Sequence, residues 1–363
     1  MTEQELVSFA ESIGQERYRG QQLFNWLYVK KVSSFDEMSN LSKEFRNSLA
    51  SAATVEGLSI VTSQHSKRDR TTKFLFELSD GLRVESVLIP PSSRFQDGRE
   101  DAEDPGERLT LCVSTQVGCP LDCAFCATAS MGFSRNLSPG EIVGQVLRVS
   151  GETGRKVTNV VFMGMGEPLM NYENVMKAVE ILLEGVGFAP RRITVSTAGW
   201  VDRIRQMADE KRTVKLAVSL HSAVNSTRMT LMPVTKKYSV RELSDAIEYY
   251  YRKTRRRVTL EQVFFDGVND TSREVSELIR FARRASCKIN VIPFHSIEST
   301  GPSGLSASLR PSPRVTEIVE RLRKEKIPVF VRSSAGEDID AACGQLAVRN
   351  PASTRGIHRN STS

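Results

Sequence analysis

The sequence predicts an α/β fold in which strands and helices alternate along most of the chain. From about residue 108 onward, short runs rich in Val and Ile indicate buried parallel strands. Amphipathic segments separate these runs, and several begin with Ser, Asn or Pro, which favour helix starts. A repeated unit of strand and then helix is typical of a barrel or of an open doubly wound sheet. The predicted strands are RLTLCVSTQV, VTNVVFMGMGEP, RRITVSTAG, VKLAVSLHS, RRVTLEQVFFDGVND, KINVIPFHS and IPVFVRSSAG.

The predicted helices lie between these strands, and two different segments precede the repeat. The helices are SPGEIVGQVLRVS, NYENVMKAVEILLEG, WVDRIRQMAD, VRELSDAIEYYYRK, SREVSELIRFARRA and SPRVTEIVERLRKE. Residues 1–60 are predicted to form a helical accessory domain, because their aromatic and Leu spacing buries a modest core. This domain is also predicted to bind RNA. Residues 61–107 are predicted to form a β-hairpin with an Asp-Gly turn and then a polar loop without periodicity. The core spans residues 108–346, and residues 347–363 form a basic, flexible tail.

Composition indicates a folded protein of the cytoplasm. The chain has 363 residues, of which 39% are hydrophobic, and no apolar run is long enough to span a membrane. The N-terminus MTEQELVSFAESIG is acidic where a signal peptide would be basic and then apolar. Six cysteines in so long a chain favour metal-binding or catalytic thiols over a disulfide framework. The net charge of +7 suits a polyanionic partner, although basic runs are equally typical of a solvated surface.

Unusual residues follow several of the predicted strands. Because the carboxyl ends of parallel strands form the edge where ligands bind, we expect these residues to share one site. They include a group of three cysteines. The full set of unusual residues is Cys119, Cys123, Cys126, Gly166, Glu167, Ser196, Ser219, Leu220, His221 and His295.

The stretch CPLDCAFC places three cysteines on one loop, with no fourth cysteine beside them. A structural zinc site needs four ligands and usually takes them as two pairs, so zinc is disfavoured. Three thiolates can instead hold three irons of a four-iron cubane, which leaves the fourth iron open to a substrate. Cys119, Cys123 and Cys126 are therefore candidate cluster ligands.

The CxxxCxxC spacing, with Phe125 before the last cysteine, resembles the cluster loop of radical S-adenosylmethionine (SAM) enzymes. GMGEP, at residues 164–168, resembles the segment of that superfamily that lies along SAM. Two longer stretches, LCVSTQVGCPLDCAFCATASMGFSRNLSPGEI and GEDIDAACGQL, resemble the RlmN and Cfr family of ribosomal RNA adenine methyltransferases, as does the N-terminal RYRGQQLFNWLY. The resemblance implies a partial (β/α)6 barrel, a 4Fe-4S cluster and bound SAM.

The resemblance also implies a reaction that methylates carbon-2 of an adenosine. One SAM methylates Cys343, and a radical formed from a second SAM takes a hydrogen atom from that methyl group, so that the methylene radical adds to the ring. Glu85 then removes the ring proton, and Cys112 attacks the sulfur of Cys343 to release the product and leave a disulfide. From the local pattern alone, Cys112 is more typical of a buried strand cysteine, and Glu85 of a solvated surface.

The remaining implied contacts concern SAM and the partners. Gly166, Glu167, Ser196 and residues 219–221 match the SAM contacts of the family, whereas His295 stands where the family pattern has Asn. A histidine can substitute for Asn because it offers one donor and one acceptor. The implied partners are 23S rRNA, tRNA and an electron donor such as flavodoxin, and we expect a monomer.

Three other functions remain open at the level of sequence. The Cfr branch methylates carbon-8, and the quoted motifs do not separate the two branches. A noncatalytic iron-sulfur or zinc protein that binds RNA would explain the basic runs but gives no role to Cys112 and Cys343. A radical SAM activase that acts on a protein gives no role to AACGQL.

Overall fold

The computed structural model describes residues 1–55, 57–91, 108–295, 297 and 308–348. Residues 92–107 of the predicted polar loop and residues 349–363 of the predicted tail lie outside the described residues. Within the described ranges, every helix is too short or too polar to cross a membrane.

The N-terminal segment forms the predicted helices. They are α1 (Glu3–Ser12), α2 (Arg17–Phe24), which continues into a π-helical turn, and α3 (Lys43–Ala52). Thr2 caps α1 with a capping box, since its side chain accepts from the amide of Glu5 and the Glu5 carboxylate accepts from the amide of Thr2. Leu23, Phe45 and Leu49 are buried between the helices. The spacing of apolar residues therefore predicts this bundle correctly.

Three antiparallel strands follow the bundle, where the sequence predicts a hairpin of two. They are β1 (Leu58–His65), β2 (Thr72–Leu78) and β3 (Arg83–Ile89). The predicted turn joins β2 to β3, and β1 pairs with the outer edge of β2. The sequence pattern misses β1 because most of its side chains are exposed or half-buried on both faces, so that it lacks the alternation of apolar residues that marks a strand.

The core contains all seven predicted strand runs, and they pair in parallel in chain order. With the three antiparallel strands they form one ten-stranded sheet among the described residues. The predicted partial (β/α)6 barrel is present, and β12 adds a seventh parallel strand beyond its six units. The seven parallel strands are β4 (Thr110–Cys112), β7 (Asn159–Phe162), β8 (Ile193–Thr197), β9 (Lys215–Ser219), β10 (Thr259–Gln262), β11 (Lys288–Val291) and β12 (Val329–Val331). Between β4 and β7 in the chain, β5 (Gln116–Gly118) and β6 (Phe133–Asn136) pair antiparallel in a separate two-stranded sheet.

The six predicted core helices are present, and the described residues also form one short helix, bounded at both ends, that the sequence pattern does not predict. That helix, α7, lies directly after β9 and has too few residues to show a period. The core helices are α4 (Pro139–Thr153), α5 (Tyr172–Glu184), α6 (Val201–Asp209), α7 (Asn225–Leu231), α8 (Val240–Thr254), α9 (Ser272–Arg284) and α10 (Val315–Lys324).

The C-terminal segment (residues 333–348) links the two ends of the sheet. It follows β12, yet it contacts the loop between β1 and β2. The amide of Gly336 donates to Asp69 Oδ2 at 2.7 Å, and the amide of Lys67 donates to Asp338 Oδ2 at 3.0 Å. The curled sheet is thus closed by loop contacts rather than by strand pairing.

The close approach of α1 and α2 yields a prediction at Gly20. A Cβ on Gly20 would lie 2.3 Å from the Cα of Val7, whereas a Cβ on Gly151 of α4 would meet no atom within 4 Å. We expect Gly20→Ala to lower the free energy of unfolding by about 1–3 kcal/mol, because the helices must move apart. We expect Gly151→Ala to raise it by up to about 1 kcal/mol, since alanine favours a helix.

Denaturant unfolding monitored by circular dichroism measures both variants against the parent chain. Equal unfolding free energies for the two variants would show that the α1–α2 contact tolerates a side chain at Gly20.

Candidate active site

The three cysteines lie on one loop, the cysteine loop (residues 119–126), which belongs to the hairpin between β5 and β6. The amide of Leu121 donates to Cys119 Sγ at 3.4 Å. The pKa of the Cys119 thiol is raised to about 12, mainly by burial and to a smaller extent by the nearby Cys126 sulfur. Burial likewise raises the pKa of Cys123 and Cys126. The loop therefore gathers three half-buried thiols that influence one another's charge.

This donor set fits an iron-sulfur cubane better than a single metal ion. In the described part of the chain, no three His, Cys, Asp or Glu side chains are arranged to hold one metal ion. A cubane makes a different demand, because each thiolate binds a separate iron and the sulfurs need not converge on one point. Cys119, Cys123 and Cys126 would hold three irons.

Glu167 follows β7 and binds backbone amides with both of its carboxylate oxygens. Oε1 accepts from the amide of Leu169 at 3.0 Å, and Oε2 accepts from the amide of Ala198 at 2.7 Å. Burial raises the pKa of Glu167, while the Ala198 amide favours its charged form. Gly166 has a φ of 99°, and a Cβ there would lie 2.6 Å from the Cβ of Gln116, so only glycine fits. Glu167 thus joins the loops after β7 and β8.

Three further predicted residues lie at the ends of β8 and β9. Ser196 is buried on β8, Ser219 ends β9, and Leu220 follows it. The carbonyls of Ser219 and Leu220 accept hydrogen bonds from the guanidinium of Arg228 at 3.1 and 3.2 Å. Arg228, which the sequence pattern does not single out, therefore fixes the backbone at this edge of the sheet.

His221 is buried behind the cysteine loop. Its Nδ1 accepts a hydrogen bond from the amide of Val263 at 3.1 Å, so the ring carries its proton on Nε2. The ring also packs edge-on against Phe125 of the cysteine loop, with 4.5 Å between the ring centroids. Burial, with a contribution from the charge of Arg228, lowers the pKa of His221 to about 3. The imidazole is therefore neutral and supports the cysteine loop.

His295 contacts two residues of the C-terminal segment. Its Nε2 is 2.5 Å from Ser334 Oγ, and its Nδ1 is 3.2 Å from Glu337 Oε1. It lines the same cavity as Cys112 and Cys343. Its contact with SAM remains a prediction.

Cys112 and Cys343 line one cavity, although they lie at opposite ends of the predicted core. Cys112 is buried at the end of β4, and Cys343 is exposed on the C-terminal segment. The guanidinium of Arg332, which follows β12, donates to Cys343 Sγ at 3.5 Å. The pKa of Cys112 is raised to about 12. Burial is the main cause and Cys343 adds to it, while the charge of Arg332 opposes the rise. The cavity thus combines two thiols and one cation.

Glu85 is only 6% exposed, so the interpretation of this residue as solvated surface is wrong. Lys73 Nζ lies 3.4 Å from Glu85 Oε1, while Oε2 is buried and makes no hydrogen bond to a described residue. Burial raises the pKa of Glu85, and Lys73 opposes the rise. Val87, on the same face of β3, pairs with Cys112 of β4. Glu85 therefore faces the same side of the sheet as the Cys112 thiol.

Known proteins match nearly the whole chain. Residues 1–55 match the ribosomal RNA large subunit methyltransferase N-terminal domain, and residues 113–282 match the Radical SAM superfamily. A probable dual-specificity RNA methyltransferase RlmN from Thermotoga neapolitana is 44% identical over 354 residues, which cover 96% of this chain and 97% of the relative. The chain belongs to the RlmN family. A protein with the same description from Salinibacter ruber is 44% identical over 350 residues, covering 94% of this chain and 91% of the relative.

A solved structure agrees with this assignment. The crystal structure of a radical SAM methyltransferase from Sphaerobacter thermophilus has a TM-score of 0.84 and 41% sequence identity, and the match covers 95% of this chain and 97% of that one. The fold is therefore the α/β radical SAM fold, and the protein is an enzyme that methylates RNA. Its family implies a 4Fe-4S cluster and SAM as cofactors. A noncatalytic RNA-binding module and an activase of another protein are both excluded by this membership.

The buried state of His221 yields a pH prediction. The pKa of a histidine is about 6.5 in an unfolded chain, whereas burial lowers that of His221 to about 3. Between these values only the unfolded chain binds the proton, so the free energy of unfolding falls as the pH falls, by up to about 1.4 kcal/mol per pH unit. We expect His221→Asn to remove this part of the pH dependence, while His65→Asn, at an exposed histidine, retains it.

Urea unfolding at pH 5.5 and pH 7.5 compares the three proteins. If His221→Asn loses as much stability on acidification as the parent chain, His221 takes up its proton in the folded state and the prediction is wrong.

Proposed function

We propose that this enzyme methylates carbon-2 of an adenosine in 23S rRNA and in tRNA, with Cys343 as the methyl carrier and Cys112 as the resolving thiol. One observation carries the proposal: both thiols line a single cavity, next to the guanidinium of Arg332. A structural cysteine pair would not require a cation beside it, whereas two thiols that react in turn as thiolates do.

Cys343 has the surroundings that a methyl carrier requires. It is exposed, so that SAM and RNA can both reach its sulfur, and Arg332 donates to Sγ at 3.5 Å. The thiolate is the form that displaces the methyl group of SAM, and the guanidinium lies within donor reach of the sulfur that would carry that charge. The cluster and its bound SAM supply the one-electron chemistry that removes a hydrogen atom from the carried methyl group. Cys343 then holds the carbon that joins the adenine ring.

Glu85 and Cys112 have the surroundings required for release of the product. Glu85 accepts the ring proton readily because burial raises its pKa and Oε2 makes no hydrogen bond to a described residue. The unpaired electron that the radical addition leaves on the adduct passes to a one-electron acceptor, a role that the iron-sulfur cluster would fill. The thiolate of Cys112 then attacks Cys343 Sγ, and a disulfide forms as the carbon–sulfur bond breaks; the released carbon keeps the bonding electron pair and takes up a proton to become the methyl group. Burial raises the pKa of Cys112, and the nearby charge of Arg332 opposes the rise and so favours the thiolate.

The RNA substrates follow from the relatives and from charge. The N-terminal match carries the description of a large-subunit ribosomal RNA methyltransferase, and both relatives are described as dual-specificity enzymes. Cys343 is exposed at the thiol cavity, so an adenine can reach its sulfur from the solvent side. The cytoplasmic location, flavodoxin as electron donor and the monomeric state remain predictions.

Replacement of Cys112 tests the two-thiol route. We expect Cys112→Ala, produced in cells, to carry an RNA adduct on Cys343, because no thiolate can attack the joined sulfur. Mass spectrometry of nuclease-treated and protease-treated protein detects the adduct on the peptide with Cys343. Cys287→Ala is the matched control, since Cys287 is also buried but lies outside the thiol cavity, and we expect it to be free of adduct. Normal methylation by Cys112→Ala would contradict the proposal.

The position of the methyl group distinguishes the two branches of chemistry. We expect digested RNA from cells that express this enzyme, in a host without its own enzyme of this kind, to contain 2-methyladenosine. Chromatography with mass spectrometry against both synthetic standards measures it. An 8-methyladenosine product would replace the carbon-2 proposal with the carbon-8 alternative.

A further inference from the structure

Arg228 is a buried cation whose partners are neutral. The residue lies on α7, is 1% exposed, and donates to carbonyl and hydroxyl oxygens alone among the described residues. Nε donates to the carbonyl of Leu220 at 3.2 Å, and Nη2 donates to those of Ser219 at 3.1 Å and Ala198 at 2.5 Å. Nη1 donates to Thr235 Oγ1 at 2.7 Å. In the part of the chain that the structure describes, no carboxylate forms an ion pair with it.

An isolated charge in a protein interior costs several kcal/mol unless an opposite charge lies close to it. Carbonyl dipoles offset part of this cost, yet burial still lowers the pKa of Arg228 to about 10. The charge that favours the guanidinium comes from Cys123, the central residue of the cysteine loop. A neutral side chain could donate hydrogen bonds to these carbonyls at a lower desolvation cost. The presence of a charge therefore requires an explanation.

The backbone holds Arg228 at a fixed place relative to the cysteine loop. The amide of Ala124, within the loop, donates to the carbonyl of Leu231 at the end of α7 at 3.0 Å. Phe125 of the loop packs against His221, which follows the carbonyls that Arg228 binds. The guanidinium therefore cannot move away from Cys123 without loss of these contacts.

We propose that Arg228 is the built-in counter-charge of the iron-sulfur cluster and raises its reduction potential. Three thiolates on a four-iron core leave the cluster anionic, and reduction by one electron adds a further negative charge. A buried cation beside one ligand stabilises the reduced form more than the oxidised form, because the interaction grows with the charge it faces and is weakly screened. No proton moves and no bond breaks; the electron comes from an external low-potential reductant. The inference rests on the cluster and not on the two-thiol route.

Two variant pairs separate charge from packing. Arg228→Gln removes the charge, and Arg228→Lys keeps it. Thr235→Asp places a carboxylate where the hydroxyl now accepts from Nη1, so that it neutralises the guanidinium without removing it, and Thr235→Asn is its neutral control. Arg323→Gln, at an exposed position on α10, is the control for net charge. Each protein is prepared without oxygen, its cluster is reconstituted, and its iron content is measured.

The readout is a dithionite titration with redox mediators, in the absence of RNA, followed by the electron paramagnetic resonance signal of the reduced cluster. We expect Arg228→Gln and Thr235→Asp to lower the ratio of reduced to oxidised cluster at least tenfold at a fixed potential, a shift of about 59 mV for one electron. We expect Arg228→Lys, Thr235→Asn and Arg323→Gln to keep the parent ratio.

The outcomes also cover a variant that fails to fold. A parent ratio in iron-loaded Arg228→Gln, or in iron-loaded Thr235→Asp, would overturn the proposal and leave Arg228 as a structural staple. If Arg228→Gln binds no iron, the two Thr235 variants decide the question. Equal ratios of reduced to oxidised cluster in Thr235→Asp and Thr235→Asn overturn the proposal, and a lower ratio in Thr235→Asp alone supports it. Because the titration uses neither RNA nor Cys343, failure of the two-thiol route does not change its result.

Discussion

Two hydrogen bonds between the cysteine loop region and the C-terminal segment determine where the chemistry can take place. The amide of Ala127 donates to the carbonyl of Gly344 at 2.7 Å, and Thr128 Oγ1 donates to the carbonyl of Leu346 at 2.7 Å. They bind Gly344 and Leu346, which both follow Cys343 in the chain, directly to the end of the cluster loop. Cys343 is thereby held next to the cysteine loop. These bonds act together with the contacts that the segment makes with the loop after β1, with His295 and with Arg332.

The site depends on charges placed inside the sheet rather than on the basic surface. Arg228 lies beside Cys123, and Arg332 lies between Cys343 and the buried Glu261, whose pKa burial raises to about 7. Lys73 pairs with Glu85 in the same way. In a weakly screened interior these charges act on the groups beside them, and Arg332 interacts with Cys112, Cys343 and Glu261, whereas the exposed arginines are screened by solvent. The interior cations are therefore the charges that the buried acids and thiols of the site face.

Sequence patterns predict the elements whose own residues carry a period or a spacing. The Val- and Ile-rich runs give all seven parallel strands, and the spacing of Cys119, Cys123 and Cys126 indicates the cluster loop. The sequence pattern does not predict β1, because the burial of its side chains does not alternate. It does not predict α7 either, because seven residues make only two helical turns. The local pattern misjudges the exposure of Glu85 for a related reason. Its side chain lies against Lys73 and the C-terminal segment, and neither is its neighbour in sequence.

By itself, the sequence determines the order of strands and helices, the three-cysteine loop and the family, since each depends on residues close together in the chain. Only the tertiary structure determines that Cys112 and Cys343 share a cavity, that His295 lines the same cavity and that Glu85 is buried. It also determines that Arg228 and Arg332 are interior charges, which residue type does not reveal. The reason is physical: burial and pairing depend on which distant segments the sheet brings together, and these set the charge of each group.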